Sequence, residues 1–196
     1  MKFRRIKESI SLRAVVAAGV SALLTLTILT SIATPASAYV LSGVRYDPNS
    51  INPIEYKFYS VDLLYILAFR NAEAVWDATS APGYFSEKSL SLDPEIEVRN
   101  ADFGTGFWAI TEGTDTNRDR LWDGNEVRIY FNSNANEMGS LTAYQKMVVA
   151  EHELGHAYGH AENNNQGCVL MRQGWDKFTC GTMPTADDIA GVDAIY

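Results

Sequence analysis

Positive charge is scarce in this chain: sixteen lysines and arginines stand against twenty-four acidic residues in 196. Residues 1–38 hold five of the basic residues and one of the acids. Residues 39–196 therefore carry eleven against twenty-three, a net charge of −12. That balance excludes nucleic acid and anionic membrane surfaces as partners, and it suits a soluble extracellular protein that binds cations. Internal repeats and low-complexity tracts are also missing, and 46% hydrophobic content with 20% charge fits one globular domain. Cysteine is limited to Cys168 and Cys180. Histidine occurs three times, always between positions 152 and 160, which scatter alone would not produce.

The amino-terminal segment reads as an export signal. Lys2, Arg4, Arg5, Lys7 and Arg13 form a basic region, residues 14–32 are apolar and small, and Ala36-Ser37-Ala38 is an A-x-A cleavage site. The expected mature chain starts at Tyr39, is secreted, and keeps no stable membrane association. It is expected to be a monomer. In that setting an even cysteine count predicts a Cys168–Cys180 disulfide with eleven residues between its ends.

Residues 39–53, with Gly43, Pro48, Asn49, Asn52 and Pro53, read as an extended arm or linker without a cysteine to cap a metal. A strand follows over 54–59. From Val61 to about Thr79 the period becomes helical, with Leu64, Leu67, Ala68, Ala72, Val75 and Trp76 as the apolar stripe. Residues 80–91 read as loop, and 96–98, 106–111 and 127–131 as strands. The order of strand, helix, several strands and a second helix predicts one α/β domain over 54–196.

Between two of those strands, residues 115–126 place oxygen side chains at the spacing of a calcium loop. These are Asp115, Asn117, Asp119, Asp123 and Glu126. The sixth position, where a sharp turn calls for glycine, is Arg120. A calcium site and an ion-free acidic loop both remain open on this pattern.

The chemistry concentrates in Glu151-His152-Glu153-Leu154-Gly155-His156-Ala157-Tyr158-Gly159-His160-Ala161-Glu162. His152 and His156 fall on one helix face one turn apart, so both can grip a single Zn²⁺, with Glu153 beside them. Tyr144, Met147, Val148 and Leu154 supply the helical apolar positions, and Gly159 marks the stop. A third ligand is needed. His160 is one candidate, but on a continued helix it would lie about 12 Å along the axis from His152. Glu162, beyond the turn, is the other.

These residues resemble the metzincin metallopeptidases, which share H-E-x-x-H-x-x-G-x-x-H and a methionine turn below the zinc. His152, Glu153, His156 and Gly159 match that pattern, and Glu162 stands at the third-ligand position. Snapalysin-type secreted bacterial enzymes carry an aspartate there. Met171 falls where the methionine turn belongs, and residues 184–196 resemble the closing helix of the matrixin branch. The tyrosine some members place two residues after the methionine is Gln173 here. The resemblance implies a mixed twisted sheet with an amino-terminal helix, an active-site helix, a methionine turn and a carboxy-terminal helix.

It further implies a secreted zinc endopeptidase acting on protein or peptide substrates through a metal-activated water, with Glu153 as general base. His152, His156 and Glu162 would hold the metal and Met171 would floor the site. The loop 172–179, with Trp175 and Phe178, would wall the side-chain pocket, and Val127 to Phe131 would receive substrate as an edge strand. A thermolysin-like enzyme is a weaker rival: it would need a glutamate roughly twenty or more residues past His156, and beyond Glu162 the only acids are Asp176, Asp187, Asp188 and Asp193. The alternative from another class is a catalytically silent metal-binding interaction protein on the same fold.

Overall fold

The computed structural model describes residues 39–196 apart from 89, 91, 92 and 166, and gives the backbone alone at 175 and 176. The expected export signal, residues 1–38, lies outside the described residues. Among the described residues no helix is long and apolar enough to cross a membrane.

Alternation along three strands decides which face of the sheet is covered. Ile54 and Tyr56, Ile96 and Val98, and Val127, Ile129 and Phe131 are all buried in the core. Glu55, Lys57, Arg99 and Arg128, at the intervening positions, point to the opposite face. These residues belong to β2 (Ile54–Phe58), β4 (Ile96–Ala101) and β7 (Val127–Asn132). With β3 (Phe85–Glu87) and β5 (Ala109–Gly113) they form one mixed sheet in the order β3-β2-β4-β7-β5. The first four of these strands run parallel, while β5 is antiparallel to β7 and forms an edge. Two short strands, β1 (Arg45–Tyr46) and β6 (Leu121–Trp122), pair separately.

The core face is covered by α1 (Leu63–Asp77) and α2 (Ala143–Tyr158), and α3 (Ala186–Ile195) follows the site. Thr142 caps α2 through a reciprocal box with Gln145, which satisfies two otherwise orphaned amide groups. At the other end Gly159 adopts φ 109°, a left-handed turn that stops the helix. A side chain there would also press on the carbonyl oxygen of Val44. Trp76 joins the two long helices: its indole N–H donates to the carbonyl of Glu151 at 2.9 Å, and its ring lies 5.2 Å from that of Tyr158.

Several expectations change. The buried stripe of α1 is Tyr65, Ala68, Phe69, Ala72 and Trp76, while Leu64 and Leu67 are exposed. Both stripes have helical spacing, and the one with the larger aromatic area is covered. Residues 80–91 contain β3, which lengthens the parallel sheet. The strand expected over 106–111 begins at Ala109, leaving Phe107 and Trp108 in the loop before it. β7 is internal, between β4 and β5, so the strand expected at the edge is not there; β5 is. The arm of residues 39–53 is docked. Tyr46 and Ile51 are buried, and Leu41 bridges His160.

Candidate metal centre

His152 and His156 project from α2 on one face, and the left-handed turn at Gly159 brings Glu162 back toward them. The three donor atoms meet closely. The two Nε2 atoms are 3.1 Å apart, and each lies 3.3 Å from Glu162 Oε1. Among the described residues this is the one cluster of three His, Cys, Asp or Glu donors within 4.8 Å of each other.

The outer nitrogens settle the tautomers. His152 Nδ1 donates to the carbonyl of Leu170 at 2.8 Å, and His156 Nδ1 to that of His160 at 2.9 Å. Both Nε2 atoms therefore turn lone pairs inward, the arrangement that suits metal ligation. Two lone pairs and a carboxylate oxygen facing one another need a cation among them. Ligands about 2.0–2.1 Å from a tetrahedral zinc stand about 3.3 Å apart, which is the spacing found here. Glu162 Oε2 is buried without a hydrogen-bond partner, a second sign that this carboxylate answers to a cation. The donor set and its spacing fit zinc.

A proton competes with a metal ion for the same lone pairs. Burial lowers the His152 imidazole below its ordinary value, and the charge of Lys177 acts in the same direction. For His156 burial opposes the charged form, but hydrogen bonding to Glu162 and the charge of Glu153 outweigh it, so the net shift is upward. Burial would raise Glu162, yet the two imidazoles outweigh it and hold the carboxyl well below the usual carboxylate range. Glu162 is ionised throughout the neutral range.

His160, the other candidate for third ligand, faces away. It is buried, its Nε2 donates to the carbonyl of Asp188 at 2.9 Å, and its ring fills the space a side chain on Gly191 would need. Met171 is fully buried, with its sulfur against Gly155, where a side chain would collide with it. The turn around it is pinned from α3: Asp188 accepts the amides of Leu170 and Met171 at 3.1 and 3.3 Å, as well as the Thr185 amide at 2.8 Å. Because the Leu170 carbonyl orients His152, α3 aims a donor it does not touch. Cys168 and Cys180 form the expected disulfide around this turn.

Glu153 lies beside the donors and lines two recesses, of about 440 and 640 Å³, both of which also include Glu162. The first includes Trp108, Val149, His152 and Lys177; the second includes Ile110, Trp122 and His156. Gln173 lines both. The loop after Met171 contributes Gln173, Gly174 and Lys177 to the first wall, and Phe178 packs on Trp108 at 5.0 Å. The side chain of Trp175 is outside the described residues. Sequence reasoning missed Thr111, whose hydroxyl donates to Glu153 Oε2 at 2.7 Å. It also missed Asp188 as the anchor of the methionine turn. Both act across the fold, so no local spacing announces them.

In the candidate calcium loop the acidic side chains are engaged within the loop itself. Asp115 accepts the amides of Arg118 and Arg120, at 2.6 and 2.9 Å, and Asp119 accepts that of Leu121 at 2.8 Å. Glu126 accepts the amides of Thr116 and Asp123, both at 2.9 Å, and Asn117 donates to Asp119 and Asp123. These carboxylates serve the loop's own donors, and no three of them converge as the histidine cluster does. Arg120 makes the sharp turn itself, at φ 68°.

Fold and site together define a mixed α/β protein with, among the described residues, one candidate metal centre. No protein-family model matches the sequence, and no curated protein matches it. Among solved structures the chain is similar to that of myroilysin, at 16% identity and a TM-score of 0.43, over 71% of this chain and 61% of that one. It is also similar to high choriolytic enzyme 1, a hatching enzyme zinc-protease from Oryzias latipes (medaka fish). There the identity is 14% and the TM-score 0.37, over 65% of this chain and 52% of that one. The matched regions thus span only about half to three-fifths of those two chains.

Proposed function

We propose that this protein is a secreted zinc-dependent endopeptidase. The observation that carries the reading is the convergence of two tautomer-fixed Nε2 atoms and one ionised carboxylate oxygen at 3.1–3.3 Å, next to a buried glutamate in an open cleft. His152, His156 and Glu162 would hold the metal. A zinc ion bound there supplies a Lewis acid that polarises a peptide carbonyl and acidifies water.

The remaining work falls to the chain itself. Glu153 accepts the proton of the attacking water and returns it to the departing amine. The carbonyls of Leu170 and His160 keep both imidazoles in the ligating tautomer. β5 offers its free edge to an extended peptide as an added strand, and the two recesses take side chains on either side of the cut. Met171 supports α2 from below and meets no substrate. The disulfide favours an oxidising compartment, in keeping with export.

The test is casein cleavage by purified protein whose zinc content has been measured. Chelation should abolish cleavage and added zinc should restore it. Glu153→Gln should lose at least about 100-fold in rate with zinc content unchanged. Cleavage that persists in metal-depleted protein, or in the Gln variant, would overturn the reading.

A further inference from the structure

Thr111 lies mid-strand in β5, the edge strand nearest the metal cluster. Its backbone pairs inward with Ile129 of β7, and its side chain reaches across to α2. The hydroxyl oxygen is 2.7 Å from Glu153 Oε2 and 3.1 Å from the main-chain oxygen of the same residue. A hydroxyl has one hydrogen to give, and an ionised carboxylate is the stronger acceptor. While Glu153 is charged, that hydrogen goes to Oε2. Once Glu153 has taken a proton, the hydroxyl can turn to the carbonyl oxygen and still be satisfied.

We propose that Thr111 is the positioning residue of the general base: it ties down Oε2 and leaves Oε1 to receive the proton. This inference rests on the peptidase reading above. A glutamate side chain left alone samples several rotamers, and fixing one of them has an entropic cost. The Thr111 hydrogen bond supplies that restraint before substrate arrives. A peptide laid along β5 would be registered against the same residue that holds the base. Substrate register and proton acceptor then share one anchor, so an extended backbone arrives with its carbonyl already set relative to Glu153.

The experiment compares Thr111→Val, which keeps the shape and loses the donor, with Thr111→Ser, which keeps the donor. In zinc-loaded protein cleaving a fluorogenic peptide, Thr111→Val should lower kcat roughly 10- to 100-fold, the range set by a hydrogen bond to a charged group. KM should stay within about two-fold, because the bond orients the base and not the substrate. Thr111→Ser should recover most of kcat. Zinc affinity and thermal midpoint should match the parent in both variants. In a Glu153→Gln background, Thr111→Val should change residual turnover no further, because the two residues act as a unit.

Undiminished kcat in Thr111→Val, a loss confined to KM, or an equal loss in the Glu153→Gln background would each overturn the role and leave the peptidase reading intact. If Thr111→Val fails to fold, the same comparison is made with Thr111→Ala and Thr111→Ser. A parent protein that cleaves nothing, or a Glu153→Gln variant with full activity, would overturn both.

Discussion

Glu151 precedes His152 in α2, is fully buried, and has no hydrogen-bond partner for either carboxylate oxygen. Burial raises its carboxyl from 4.5 to about 8. In the folded protein it keeps its proton at neutral pH, whereas the unfolded chain releases it above 4.5. Over that window the folded state binds the extra proton, so stability falls as pH rises and levels off above about 8. The slope attributable to this residue is about 1.4 kcal/mol per pH unit, and the full span amounts to about 4–5 kcal/mol. Glu151→Gln keeps the shape and cannot ionise, so it should remove that slope. Urea unfolding of metal-depleted parent and variant, with chelator present, excludes the separate pH dependence of metal binding. The variant's advantage should grow by roughly 2–3 kcal/mol between about pH 5.5 and pH 7.5. An advantage that stays flat across that interval would refute the argument that an unpartnered carboxyl lies in the core.

Two further outcomes are expected. Gly155→Ala drives a methyl group into the Met171 sulfur, so it should cost about 1–3 kcal/mol in urea unfolding, the usual range for overpacking, and weaken zinc binding. An unchanged midpoint would mean that the turn lies farther from α2. Arg120→Gly relieves a left-handed residue at φ 68° and should raise stability by about 1 kcal/mol by the same measure. Destabilisation would mean that the arginine side chain contributes more than its backbone costs.

The sequence makes the donors legible for a physical reason. Two histidines four apart need only a helix to face the same way, and a glycine three residues later announces the turn that returns Glu162. The helix cap at Gly159, the strands at β2 and β7, and the cysteine pair are equally local signals. What acts across the fold is not visible in this way. The face of α1 was ambiguous because residues 64 and 67 and residues 65 and 69 are both helically spaced. The edge position of β5 depends on strand order, which alternation does not encode. The hydroxyl of Thr111 meets Glu153 from 42 positions away, and Asp188 meets Leu170 from 18. The acidic loop shows the converse. Its spacing is readable, but the orientation of each carboxylate depends on amides that the spacing does not specify.

His152 and Glu162 are only ten positions apart, and this shapes the thermodynamics of the centre. The entropy of closing a loop grows with the logarithm of its length, so drawing donors together over so short a span costs little. Restricting each ring to one rotation and one tautomer is the harder demand: the His160 carbonyl meets it for His156 from within the span, but for His152 it falls to the Leu170 carbonyl and the Asp188 carboxylate outside it. Proximity in this protein is a local property of one short segment, whereas directionality belongs to the folded domain as a whole.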